Sequence, residues 1–274
     1  MNGYQVKSVI YGIAVGDALG VPFEFCERGS FKVTEMVGYG TYYQPEGTWS
    51  DDTSMTLATL ESLKKHNGVR IEDLCKQFCK WLFETEYTAT GKVFDYGMTT
   101  SHALINGRGL EDVSSNGNGS LMRIAPLAFF NTSRREIAEV SAITHAHPIS
   151  KLACIIFIEL LEGLLKGEKL DEFLRNKDYP KPFDRLPCLL SLPIEAIKST
   201  GYVVHTLEAS LWCILHSTNF IEAVLLAVNL GDDTDTTGSV TGALAGAIYG
   251  FEAIPKSWIE SLQNRELIDS ILSH

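Results

Sequence analysis

The sequence predicts a nearly all-α fold, on three observations. Apolar residues recur at helical spacing in the stretches 4–19, 54–65, 70–84, 134–143, 149–166, 205–215, 219–229 and 235–249. No convincing run of alternating residues bounded by hairpin turns accompanies them. Two stretches carry glycine at every fourth position: Gly12, Gly16 and Gly20 in the first, Gly238, Gly242, Gly246 and Gly250 in the last. On a helix this spacing strips one face of side chains and permits close approach of a neighbour. Glycine inside a helix costs about 1 kcal/mol relative to alanine, so a repeated stripe needs a packing reason. The two segments are therefore expected as central helices, buried against other helices or each other, with Asp17, Glu24 and the turn at 231–238 drawn toward the molecular centre.

The elements follow in order. The first stretch has a lone Lys7 ahead of a short apolar run that meets Gly16-Asp17. It resembles neither a signal peptide nor a span of roughly 20 apolar residues. The second begins near Thr53, behind a turn rich in capping residues. In 70–84, Ile71, Leu74, Cys75, Phe78, Cys79 and Leu82 share the apolar face of an amphipathic helix. Cys75 and Cys79 could share a metal at that spacing, but core thiols are the better reading. The least regular region, 166–193, is charged, carries Pro180, Pro182, Pro187 and Pro193, and reads as a surface excursion. Leu225 to Leu230 is strand-like in composition alone and continues a longer helical pattern.

At 274 residues and 45% hydrophobic, the chain can bury a substantial core; a single domain over 1–274 is expected. A net charge of −11 argues against nucleic acid and anionic membranes as partners, since both demand surplus Lys and Arg. A small anionic ligand would need a cation as intermediary. Six scattered cysteines without a C-x-x-C pair fit reduced thiols and a cytoplasmic location.

Two acidic turns carry the chemistry: Gly47-Thr48-Trp49-Ser50-Asp51-Asp52-Thr53-Ser54 and Gly231-Asp232-Asp233-Thr234-Asp235-Thr236-Thr237-Gly238. Each stands at a helix start. Capping accounts for one such residue and hardly for three in a row. Together the turns read as two halves of one site for a hard cation, because oxygen-only ligands suit Mg²⁺, Mn²⁺ or Ca²⁺. An EF-hand loop starting at Asp233 would need Glu at its twelfth position and finds Leu244. The string Asp233-x-Asp235-x-Thr237 mimics a haloacid-dehalogenase nucleophile motif, yet lies too late in the chain.

These motifs, with Gly16-Asp17-Ala18-Leu19-Gly20, Glu24, Phe94-Asp95-Tyr96-Gly97, Gly117-Asn118-Gly119-Ser120-Leu121-Met122-Arg123, Thr144-His145-Ala146-His147-Pro148 and Gly201 to Glu208, resemble in that order the ADP-ribosylglycohydrolases. The likeness is greatest to the bacterial enzymes that remove ADP-ribose from dinitrogenase reductase, and covers residues 11–250. It implies a compact orthogonal multi-helix domain with a central cleft holding two divalent cations, Mg²⁺ or Mn²⁺. The implied ligand positions are Ser50, Asp51, Asp52, Asp233, Asp235 and Thr236, with Glu24 beside them. Ser50 stands where Thr is frequent and Asp232 where Gly is usual.

The resemblance also implies an ADP-ribosylated protein or ADP-ribose derivative as partner. The loop Asn118, Gly119 and Ser120, with Met122, would border the ligand; His145 would lie near the diphosphate or ribose and Tyr202 near the adenine. Glu24, Asp52 and Asp95 are the candidate catalytic carboxylates for hydrolysis of a link to a side chain, arginine first. Arg123 is a secondary candidate that could equally be a buried ion-pair partner. Two other readings share the fold: a non-catalytic binding or immunity protein, and a hydrolase of serine-linked ADP-ribose.

Overall fold

The computed structural model describes residues 2–273. The chain winds through α1 (Gly3–Gly20), α2 (Asp51–His66), α3 (Ile71–Glu84), α4 (Met98–Asn106), α5 (Arg134–Ala142), α6 (Pro148–Leu165), α7 (Leu170–Arg175), α8 (Val203–Leu215), α9 (Phe220–Val228), α10 (Thr234–Tyr249), α11 (Lys256–Ser261) and α12 (Arg265–Ser273). Among the described residues there is no strand, only isolated bridges. The all-α expectation holds.

The glycine stripes meet face to face. Gly12 lies against the carbonyl of Gly242, Gly16 against that of Gly238, and Gly20 against the backbone of Asp235. Residue numbers rise along α1 as they fall along α10, so the helices are antiparallel. A Cβ at any of these glycines would collide with the opposing main chain. Gly250 lies beyond the seam, at a positive φ of 79°, and ends α10. The segment Gly3–Phe23 is long and apolar enough to cross a membrane by composition, but 89% of its apolar window is buried inside the protein. Its apolar surface is used on α10, α2 and the buried residues around them.

This antiparallel pairing positions the site. The end of α1 arrives beside the start of α10, bringing the segment leading to Glu24 against the second acidic turn. Helix α2 packs on both α1 and α10 and carries in the first turn.

Four helices were not read from the sequence: α4, α7, α11 and α12. Helix α4 has only Thr100, Ala103 and Leu104 buried, too weak a stripe to declare itself; α7 and α11 have six residues each. The region 166–193 is more than a surface excursion, since Leu170, Leu174, Phe183, Leu186 and Leu189 are all buried in the core. All six cysteines are free thiols.

Candidate active site

The first acidic turn is held from outside itself. Asp17, fully buried in α1, accepts the Ser50 N–H at 2.9 and 3.0 Å, the Thr53 N–H at 3.0 Å and the Thr53 hydroxyl at 2.6 Å. Another helix thus satisfies the unpaired amides that start α2, which is why α2 begins at Asp51 rather than near Thr53. Ser50 adds only a longer contact, accepting the Asp52 N–H at 3.3 Å. The carboxylates of Asp51 and Asp52 are spared from capping. Burial lifts Asp17 to about 7 despite its hydrogen bonds.

The second turn is stitched to the segment after Glu24. Phe25 donates its N–H to the Asp232 carbonyl at 2.7 Å, and Asp232 returns its N–H to the Cys26 carbonyl at 3.0 Å. Gly231 and Asp232 both have left-handed backbone, φ 80° and 57°. Asp232 therefore acts through its main chain, and its carboxylate is exposed. Asp233 accepts from Asn118 Nδ2 at 2.9 Å, and Asp235 accepts the Thr236 N–H at 2.8 Å.

The two turns meet although far apart in sequence. The Thr236 hydroxyl donates to Asp52 Oδ2 at 3.3 Å across 184 residues of chain, and the Ser50 hydroxyl reaches the same oxygen at 3.5 Å. Glu24, Asp233 and Asp235 each offer a carboxylate oxygen, and these oxygens lie within 4.8 Å of one another. All six predicted ligand positions and Glu24 therefore share one region.

Desolvation is the largest cause acting on each carboxylate there. It raises Asp51, Asp52, Asp233 and Asp235, with mutual repulsion adding to it, and carries Glu24 up to about 10. Asp52 Oδ1, Asp233 Oδ1 and Asp235 Oδ2 are buried and accept no hydrogen bond. Buried carboxylates of one sign, with lone pairs unused, must hold protons or a cation. The all-oxygen donor set fits a hard divalent cation.

Above the carboxylates lies a cleft of about 600 Å³, whose lining includes Glu24, Asp51, Asp95 and Asp233 but no Lys or Arg. Asn118, Gly119, Met122 and His145 line it as expected. The Gly119 backbone is pressed so closely to His145 and Thr100 that a Cβ would come within 2.8 Å of His145 Cε1. His145 is buried and its imidazole is pushed down to about 3, first by burial and then by Arg123, so it is neutral.

Two predicted residues stand apart from the lining. Ser120 is fully buried and its hydroxyl accepts from Ser141 at 2.9 Å, deep in the protein. At position 202 the wall is made by Gly201, whose carbonyl accepts the Asn118 N–H at 3.0 Å. The Tyr202 ring turns edge-on to His205, 5.0 Å between centroids. Arg123 makes no ion pair among the described residues: it lies 4.4 Å from the Phe78 ring centroid and donates to the Thr144 hydroxyl at 2.8 Å.

Sequence reasoning missed Tyr42. Its hydroxyl hydrogen-bonds Glu24 Oε2 and Asp95 Oδ1, the latter at 2.6 Å, and its ring packs on Phe94. Glu24 and Asp95 thus meet through one phenol. No motif surrounds Tyr42, and only the fold reveals it.

The family model for ADP-ribosylglycohydrolases matches residues 4–274. The chain belongs to that family. This ADP-ribosylglycohydrolase is 33% identical to the ADP-ribosylarginine hydrolase Tri1 of Serratia proteamaculans, over 97% of its own length and 77% of that protein's. It is 29% identical to the ADP-ribosyl-[dinitrogen reductase] glycohydrolase of Rhodospirillum rubrum, over 96% and 93% of the two chains. A solved structure described as an ADP-ribosylglycohydrolase-related protein complex superposes with a TM-score of 0.84 at 31% identity, covering 98% of this chain and 96% of the other. The protein is accordingly a hydrolase of ADP-ribosyl linkages.

Proposed function

We propose that this hydrolase releases ADP-ribose from arginine side chains and uses two divalent cations, Mg²⁺ or Mn²⁺. The observation that carries the metal is the set of unpaired carboxylate oxygens on Asp52, Asp233 and Asp235, buried in a site without a single basic residue in the cleft lining. Ser50, Asp51, Asp52, Asp233, Asp235 and Thr236 would hold the cations, with Glu24 at the margin. Bound there, divalent cations would hold an anionic ligand in an acidic cleft and polarise water. The arginine linkage is supported by the likeness to the ADP-ribosylarginine hydrolase Tri1, and by Asp95 in the cleft wall, whose carboxylate suits a guanidinium.

The chain's own residues divide the remaining work. Cleavage at the anomeric carbon develops oxocarbenium-like charge, which needs a carboxylate close by and a proton for the departing nitrogen. Asp95 pairs with the guanidinium as it leaves. Glu24, tied to Asp95 through Tyr42, is the second acid/base group. The Thr144 hydroxyl accepts from Arg123 Nη2 and pairs with His145 Nδ1 at 2.8 Å. If Thr144 gives its one proton to Nδ1, the neutral ring carries its hydrogen on Nε2, the nitrogen nearer Gly117 and available to a phosphate oxygen. The glycines of the 117–119 loop admit the diphosphate to the backbone.

The test uses peptides ADP-ribosylated on arginine or on serine, with Mg²⁺, Mn²⁺ or chelator, and scores free ADP-ribose. Release from the arginine peptide alone, with cation alone, is expected. Asp95→Ala should lose that release by orders of magnitude and still bind metal. Release from the serine peptide with the arginine peptide untouched overturns the linkage.

A further inference from the structure

The cleft mouth carries large apolar side chains that the hydrolysis of a bare ADP-ribosyl group leaves unused. Phe25, Tyr96 and Met98 line the entrance while remaining 71%, 49% and 79% exposed. Tyr39 and Tyr43 flank Tyr42, itself in the wall; they are 56% and 79% exposed, with ring centroids 5.1 Å apart. These five come from three loops: the one after α1, the turn at 39–44 and the segment before α4 and its first residue.

The backbone holds three of them there against its own preference. Phe25, Tyr39 and Tyr43 have φ of 64°, 72° and 54°, and for a bulky residue a positive φ is a true outlier. Each such conformation is disfavoured and persists only where surrounding contacts impose it. Those contacts are present: the Thr41 hydroxyl donates to the Glu24 carbonyl at 2.7 Å, and Gly40 sits hard against Pro22, with no room for a Cβ. Strain and exposed apolar area coincide on one rim. Exposed apolar side chains gathered beside a cleft mark an interaction surface.

We infer that this rim, resting on the reading of the cleft as a site for arginine-linked ADP-ribose, docks the polypeptide that flanks the modified arginine, and favours flanks rich in Lys and Arg. The occupant follows from position and charge. An ADP-ribosyl group seated in the cleft leaves its carrier chain at the mouth, which Phe25, Tyr96 and Met98 line and beside which Tyr39 and Tyr43 flank Tyr42 in the wall. Asp95 in the cleft wall and the net charge of −11 attract cationic flanks, no basic residue in the lining repels them, and tyrosine faces accept Lys and Arg by cation–π contact.

The test compares ADP-ribosyl-agmatine, which has no polypeptide, with a basic peptide and an acidic peptide each carrying one ADP-ribosylarginine. The variant is Tyr39→Gly combined with Tyr43→Asn, both residues suited to positive φ and both outside the cleft wall. For the basic peptide kcat/KM should fall about tenfold, the loss expected for truncating an aromatic anchor, with ADP-ribosyl-agmatine turned over as by wild type. The acidic peptide should lose much less. Equal losses on all three substrates, or no loss on the basic peptide, overturn the proposal. If wild-type protein hydrolyses no arginine-linked substrate, the reading of the cleft falls separately. Fluorescence anisotropy of the labelled basic peptide then decides the rim, and equal Kd for variant and wild type overturns it.

Discussion

At Gly16 there is no room for a single carbon, because the carbonyl of Gly238 occupies the place of its Cβ. At Tyr43 a whole ring is held out in water on a left-handed backbone. The α1–α10 seam and the cleft rim therefore use side-chain volume in opposite ways. The seam removes side chains so that two backbones touch, and this fixes Asp17, Asp233 and Asp235 on rigid helix ends. The rim keeps large side chains on loops, and there Glu24 and Asp95 depend on a hydroxyl, Tyr42, for their mutual placement. The carboxylates proposed to hold a cation sit mostly on the rigid part, and the pair proposed for acid/base work sits on loops, with Glu24 reaching across to Asp233 and Asp235. A cation needs fixed ligand geometry, whereas a varied protein substrate needs a mouth that can accommodate it.

Breaking the seam should have the largest effect. Gly16→Leu forces a side chain into the α10 main chain, and neither backbone can yield without separating the helices. The expected outcome is a loss of more than about 4 kcal/mol, with no cooperative unfolding transition above room temperature. Circular dichroism during a thermal ramp would show it; a transition near wild type would mean the two backbones can part at Gly16 without loss.

Next comes the site on the seam. Asp235→Asn should lower activity more than about a hundredfold, beyond what loss of an outer-shell partner costs, and abolish calorimetric cation binding. Its helical content should stay that of wild type. In metal-free wild-type protein the pH dependence has a definite sign. Asp17 at about 7 and Glu24 at about 10 are raised above ordinary carboxylates, so the folded chain keeps protons that the unfolded chain releases. Stability is full below the ordinary carboxylate range and falls as pH rises through 7 toward 10. Chelated protein should melt lower at pH 8 than at pH 5, and added cation should restore more at pH 8. A chelated protein that melts higher at pH 8 would contradict the buried carboxylates.

Tyr42→Phe sharpens the comparison on the rim. It keeps the ring on Phe94 and removes the hydroxyl joining Glu24 and Asp95, so kcat should fall on the order of tenfold to a hundredfold through misplacement of those groups. Melting temperature should change little. In an Asp95→Ala background the same substitution should cost less, as expected for groups acting as one unit. Full additivity of the two losses would show that Tyr42 acts on something else.

The seam was legible in the sequence because its signal is periodic: glycine every fourth residue has few causes in a soluble helix. The acidic turns were legible because several carboxylates and hydroxyls crowd one helix start. Tyr42 was not, since its role arises only where the turn at 39–44, the segment after α1 and the loop before α4 converge, and no local spacing encodes that meeting. Ser120 misled for a related reason. It sits in a glycine loop that lines the cleft, yet its hydroxyl turns inward to Ser141, an orientation that one sequence cannot show. Helix α4 hid because its inward face is only three residues, one of them the polar Thr100.

The smallest effect is expected at Asp232, whose charge the sequence left without a role. Its main chain joins the second acidic turn to the segment after Glu24 by the reciprocal bonds with Phe25 and Cys26, and these survive any side chain. Its φ of 57° is left-handed, which glycine adopts freely and aspartate tolerates. Asp232→Gly removes that strain but gives the unfolded chain more freedom, two contributions of about 0.5–1 kcal/mol and opposite sign. The melting temperature should therefore stay within a few degrees and hydrolysis should be unchanged. A tenfold loss of activity in Asp232→Gly would place its carboxylate in the chemistry and extend the acidic site outward from the rigid seam to the rim.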